Sequence, residues 1–188
     1  MTLKKTDGLY KQTLHTHHDA QTHPFGKNLR NCELSRYEWA DWLVAQYQIY
    51  NVIDDILPSF LKRKEKLASD ILMMLPEYKG HQSEIVNDFL YSDKDFFSTD
   101  NVYDLWGLVY LMIGINIRGG QVIAPLYKEK EFPCSFIDLS NDKTASAKAN
   151  EWLKNMREIS SLAEMTNKSY IMMINVMEEI HQRYHNDY

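Results

Sequence analysis

Apolar positions recur every three to four residues along most of this 188-residue chain, and no convincing strand-like alternation interrupts them. The first such stretch, about Leu9 to Gln21, sets Tyr10, Thr13, Leu14, His17, Ala20 and Gln21 on one helical face, and Pro24 and Gly26 end it before a loop through Cys32. Ser35 to Glu38 spell a capping box that opens a second helix, Arg36 to Ile56, apolar around much of its circumference as a central helix must be. Pro58 redirects the chain. Shorter amphipathic helices follow over Leu61 to Leu75 and Gln82 to Leu90, then a polar, Asp-rich loop over Ser92 to Asn101. A long apolar helix spans Val102 to about Lys130, an irregular loop covers Glu131 to Lys143, and two more helices cover Thr144 or Ser146 to Leu162 and Glu164 to Arg183. The pattern predicts an all-α bundle forming one domain over 1–188.

One stretch strains this pattern. The long helix runs into the adjacent pair Gly119 and Gly120, and two glycines inside a helix cost roughly 1 kcal/mol each relative to alanine. A kink, or a close approach of backbone to a ligand or to another helix, is the usual compensation. Asn116, one turn earlier, is an amide on an otherwise apolar stripe with Leu105, Val109 and Met112. It needs partners, which a ligand, a water or a neighbouring backbone can equally supply. Arg118 lies roughly 200° around the wheel from Asn116 and points elsewhere unless the kink rotates it.

Charge and composition narrow the classes of function. A formal net charge of -5 argues against a nucleic-acid partner, whose phosphates call for a basic surface. The 12 Tyr, 4 Trp and 9 Met suit either an irregular pocket or a large helical core. Cys32 and Cys134 are the two cysteines and support neither a disulfide framework nor a cysteine metal site. The longest apolar run, Leu105 to Ile117, is 13 residues, short of the ~20 that span a bilayer. With no apolar leader at the N-terminus, the expectation is a cytoplasmic protein without a membrane partner.

The candidate chemistry lies in the histidines. His17 shares an apolar face, where a neutral imidazole serves either as a hydrogen-bonded core residue or as a ligand to heme iron or another metal. Gln21, one turn on, is placed to accept its second ring N–H. His181 and His185, at i and i+4 with Glu178 one turn earlier, have metal-ligand spacing but sit on what reads as an exposed, fraying end. The adjacent acidic pair Asp54 and Asp55 reads as solvated or capping charge.

Three stretches together resemble the biliverdin-producing heme oxygenases. Leu9 to Phe25 is similar to that family's first helix, T-x-x-x-H-x-x-A-E-x-x-x-F, with Thr13, His17, Ala20 and Phe25 matching. The segment Q-Y-Q-I-Y-N-V-I-D-D-I resembles L-Y-x-I-Y-x-A-L-E-E-x, and Tyr110 followed by G-G-Q-V resembles the distal helix, Y-x-x-x-x-G-D-x-S-G-G-Q-x-L. The resemblance implies a heme oxygenase-like bundle with a glycine-kinked distal helix and heme b held between that helix and the first. His17 would be the iron ligand, with Gln21 beside it. Gly119 and Gly120 would form the close distal wall. Tyr110, Lys154 and Arg157 would meet the propionates. It also implies O2 as co-substrate, an electron-donor protein or small reductant as partner, and biliverdin, CO and iron as products.

The departures from that pattern concern the reaction more than the cofactor. Asn116 aligns with the family's distal aspartate, Ile115 with a glycine and Arg118 with a serine. Gln21 replaces the glutamate that supports the proximal histidine, and Tyr10 stands where a basic residue is common. An amide positions water but does not take up a proton at neutral pH. The resemblance therefore leaves open a degrading enzyme with an altered distal network, with Asn116, Gly119 and Gly120 at its centre, and a non-degrading heme binder or sensor. A third reading is a heme-free scaffold of the thiaminase-like or di-iron kind. The di-iron version wants several Glu and Glu-x-x-His ligands on core faces, a set not evident here.

Overall fold

The computed structural model describes residues 8–74, 78, 80–91 and 102–185, and every regular element among them is helical. The expected polar loop from Ser92 to Asn101 lies outside the described residues. The N-terminal helix differs from its expected form. It is broken at Thr13 into α1 (Leu9–Gln12) and α2 (Leu14–Thr22), because the Thr13 hydroxyl bonds back to the Leu9 carbonyl and its backbone leaves the helical region. Leu14, expected on the His17 face, is exposed as a result.

Pro24 starts a helix instead of ending one. Proline at the first helical position gives up no bond, and the His23 ring Nδ1 accepts the Phe25 N–H as an N-cap. The resulting α3 (Pro24–Asn31) closes on Cys32, whose left-handed backbone (φ 57°) stops it. The expected loop through Cys32 is thus mostly helical.

The central helix α4 (Arg36–Ile53) opens with the capping box that its sequence spells, Ser35 and Glu38 each bonding the other's backbone N–H. It buries Trp39, Trp42, Leu43, Ile49, Tyr50 and Ile53 almost completely. Its last expected turn tightens into a 3-10 segment, Asp54–Ile56. Asp54 is buried, and its carboxylate takes the Arg63 and Lys64 N–H groups at the start of α5 (Lys64–Met74). Of the adjacent acidic pair, one residue is therefore a buried cap and the other a solvated charge. The short helix α6 (Glu84–Tyr91) follows.

The long apolar segment is one continuous rod in three parts. These are α7 (Val102–Ile113), a π-helical turn over Gly114–Gly119, and α8 (Gly120–Glu129). From Leu105 to Glu129 it is long and apolar enough to cross a membrane, contrary to the count of its longest unbroken run, but 61% of its most apolar window is buried within the bundle. It serves here as a core helix.

The loop after α8 is pinned by Asp70, which accepts the Phe136 N–H, and by the Trp39 indole, which donates to the Pro133 carbonyl. Helix α9 (Lys143–Met156) starts from Asp142 as N-cap and ends earlier than expected. A 3-10 turn, Ser160–Leu162, then leads into α10 (Ala163–His185).

Helix α10 packs along α7 and also touches α2, α3, α4 and α6, so it ties the bundle together. Its crossing with α7 is close. A Cβ on Gly107 would lie 2.7 Å from that of Met165, and the Thr166 hydroxyl donates to the Gly107 carbonyl. Cys32 and Cys134 are both buried as free thiols, and burial pushes the Cys134 thiol up to about 11.

Candidate functional site

Helices α2 and α3 face the π turn and α8 across a cavity of about 600 Å³, inside the range of roughly 300–1,000 Å³ usual for cofactor and ligand pockets. Thr13, His17, Ala20 and Gln21 form one wall. Gly26, Leu29 and Arg30 continue it from α3. Tyr110, Gly114, Ile115, Arg118 and Gly119 form the other wall, with Val122 and Ile123 from α8. Leu153 and Arg157 at the end of α9, and Tyr170 and Met177 on α10, close the rest.

His17 is the imidazole on this surface. Burial, and then the neighbouring His18, hold its pKa below the usual 6.5, so the ring is neutral at pH 7 and keeps one basic lone pair. Tyr170 meets it edge-on, ring centroids 5.8 Å apart. The Gln21 amide nitrogen donates to His17 Nε2 at 3.2 Å. Gln21 thus touches the ring as a donor, whereas the sequence suggested an acceptor for the second ring N–H.

The opposite wall is shaped by the π turn. A π turn widens the helix by one residue and so shifts the phase of every residue beyond it. Arg118, which an unbroken α-helix turns away, lines the cavity, and Asn116 does not. Asn116 is buried behind the wall, where its amide donates to Gln46 Oε1 (3.1 Å) and the Tyr50 hydroxyl (3.0 Å). Tyr50 is completely enclosed, and burial pushes its pKa up to about 12.

The glycines divide in the same way. A Cβ at Gly114 or Gly119 would meet nothing within 4 Å, so bare backbone faces the cavity at both. A Cβ at Gly120 would lie 2.7 Å from the Ile137 Cβ, so this glycine serves the packing of the loop after α8. Gly120 was expected on the pocket wall and lies behind it.

Three arginines, Arg30, Arg118 and Arg157, line the cavity, and no acidic residue among the described residues does. The Arg157 guanidinium stacks over the Tyr10 ring at 5.4 Å, and its Nε is buried without a hydrogen-bond partner among the described residues. Lys154 is exposed and lies outside the lining. Tyr10 and Val122 line the cavity yet are 48% and 66% exposed, leaving apolar surface uncovered.

The sequence matches no protein-family model and no curated protein. Its structure is similar to that of heme oxygenase-1 from the cyanobacterium Synechocystis in complex with heme. The TM-score is 0.78 at 14% identity, over 93% of this chain and 91% of that one. It is also similar to heme oxygenase from Leptospira interrogans, with a TM-score of 0.74 at 16% identity over 91% of this chain and 97% of that one. The chain has the heme oxygenase fold. Within that fold, sequence reasoning singled out His17, Gln21, Tyr110, Gly119 and Arg157, and all five line one cavity. It missed Gly114, Arg30, Arg118, Tyr170 and Met177. Gly114 left a trace, as a third glycine five residues before Gly119, and Arg118 reads from the sequence as pointing elsewhere unless a kink rotates it.

Proposed function

We propose that this protein binds heme b in the cavity between α2 and the π turn, with His17 as the iron ligand. We further propose that it cleaves the bound heme to biliverdin, CO and iron with O2 and an external electron donor. One observation carries the reading: a neutral, half-buried imidazole faces bare glycine backbone across an apolar cavity lined with arginines and, among the described residues, with no acidic one. A flat apolar ligand with two carboxylates fits each part of it. The backbone at Gly114 and Gly119 leaves room that a side chain would fill. The orphaned Arg157 Nε and the Arg30 and Arg118 side chains are donors for carboxylates, with Tyr110 beside them. Lys154 is not among the residues we assign to the site.

Heme, when bound, supplies the iron at which O2 is activated. What this chain contributes is orientation and exclusion. His17 would hold one face, Ile115 and Ile123 would keep the other apolar, and Arg118 would bring positive charge to the cavity. The side chain of Asn116 stays behind the wall with Gln46 and Tyr50.

That last observation favours a second reading, a heme carrier or sensor. Among the described residues no carboxylate lines the cavity, so none there relays a proton in the way the family's distal aspartate would. Titration of heme into the wild type and His17→Ala separates the readings. The expected result is a saturable Soret band at one heme per chain whose position shifts in His17→Ala. An identical spectrum in the variant removes His17 as ligand. Loss of the band, with bilin absorbance, on adding O2 and a reductant supports the oxygenase. A stable band supports the carrier.

A further inference from the structure

At the far end of α10, outside the cavity, we propose a second metal site, formed by Glu38, His181 and His185 and selective for a divalent cation of the zinc class. The ligand atoms of these three residues all lie within 4.8 Å of one another. His181 and His185 are one turn apart on α10, so both rings lie on one face, with centroids 4.4 Å apart. Glu38 reaches them from the first turn of α4.

Two features of these residues favour a cation. The Glu38 carboxylate is 3% exposed, and among the described residues no lysine or arginine pairs with it. Its Oε2 accepts the Ser35 N–H at 2.8 Å, and its Oε1 accepts from His185 Nε2 at 2.9 Å. A buried carboxylate without a cationic partner is costly. The nearby Arg183 does not relieve it, being engaged by Asp41 and Glu179. The second feature is His181 Nδ1, a buried ring nitrogen with no hydrogen-bond partner among the described residues. Glu178, the carboxylate suggested by sequence spacing, is turned away to His23 and Gln182.

Two imidazoles and a carboxylate suit zinc and its first-row neighbours, whereas calcium and magnesium want oxygen ligands. In a tetrahedral zinc site the ligand atoms are about 3.4 Å apart, given bonds of about 2.0–2.1 Å. The present spacing therefore needs a modest closure. His185 can provide it, because its side chain is 45% exposed. The cation would replace the hydrogen bond between His185 and Glu38, and water would complete the shell from the exposed side. The site would clamp the last turn of α10 to the first turn of α4.

The test is titration of the tag-free, metal-stripped full chain, without heme, with Co²⁺ followed by Zn²⁺. One Co²⁺ per chain should bind with visible bands typical of low coordination, and Zn²⁺ should displace it. His181→Ala, His185→Ala and Glu38→Gln should each weaken binding by at least about tenfold, since even outer contacts to a metal are worth that much. Glu38→Gln retains an oxygen for the Ser35 N–H, so the capping box can persist. His185 is 45% exposed, so its replacement removes little packing, and circular dichroism of the variant checks that the fold persists. His17→Ala and His15→Ala should change nothing, which distinguishes this site from the heme cavity. Binding that survives both His181→Ala and His185→Ala, or no stoichiometric Co²⁺ binding, overturns the proposal.

Discussion

His17 and Asn116 show how a side chain's surroundings decide what it can do. Burial lowers the His17 pKa below that of the unfolded chain, so between those two values the unfolded state holds more protons. Stability from this residue is therefore complete above about pH 6.5 and is lost as pH falls through the depressed value. Urea unfolding of the heme-free protein at pH 7.5 and pH 5.5 should show this loss, and His17→Gln should lose less over the same range. An equal loss in the variant would move the effect elsewhere. Asn116, by contrast, works through its partners. Asn116→Ala leaves Tyr50 and the Gln46 carbonyl without their donor and should cost about 1–3 kcal/mol in the same assay. Asn116→Asp should leave the rate of any heme loss within about twofold, because position 116 does not reach the cavity; a tenfold rise, 1.4 kcal/mol in barrier, would show that it communicates with bound heme.

At the scale of elements, the distal rod assigns opposite duties to neighbouring glycines. Gly119→Ala should stabilise the heme-free chain by about 0.5–1 kcal/mol, since the helix gains a better former and the methyl group meets nothing. Gly120→Ala should destabilise it by about 1–3 kcal/mol through the clash with Ile137. Gly119→Leu should keep its stability but weaken heme binding by at least about tenfold, or 1.4 kcal/mol, by filling the cavity. Thermal melts and heme titrations of the three variants check these signs.

The same rod marks the limit of what the sequence reveals. The capping box of α4 and the helical pattern of α10 are legible because each rests on local spacing, whereas the placing of His17 opposite a glycine wall comes from the family resemblance and not from spacing. The π turn is not legible, since a one-residue change of phase leaves no mark in composition, and it exchanges Arg118 for Asn116 at the cavity. Nor is α3, whose N-cap is an imidazole instead of the usual hydroxyl or carboxylate. The Thr13 break is equally hidden, because it depends on which carbonyl a single hydroxyl selects.

Across the whole molecule, α10 connects two sites of different character. Near its middle, Tyr170 and Met177 border the proposed heme cavity; at its end, His181 and His185 meet Glu38. Between and around them, Asp41 gathers Tyr78, Tyr184 and Arg183 onto α4, so the last helix is held along its length by both packing and charge. The two thiols lie elsewhere in this body. Cys32 follows α3, Cys134 lies in the loop after α8, and neither reaches solvent. With pKa values raised by burial, both are poor nucleophiles in the folded chain. Both are buried, so if they emerge in one global opening, an alkylating reagent supplied in excess should mark both cysteines together, at a pace set by that opening and not by reagent concentration. Mass spectra with unmodified and doubly modified chains, and little in between, would make this pair a built-in clock for how often the native state lets go.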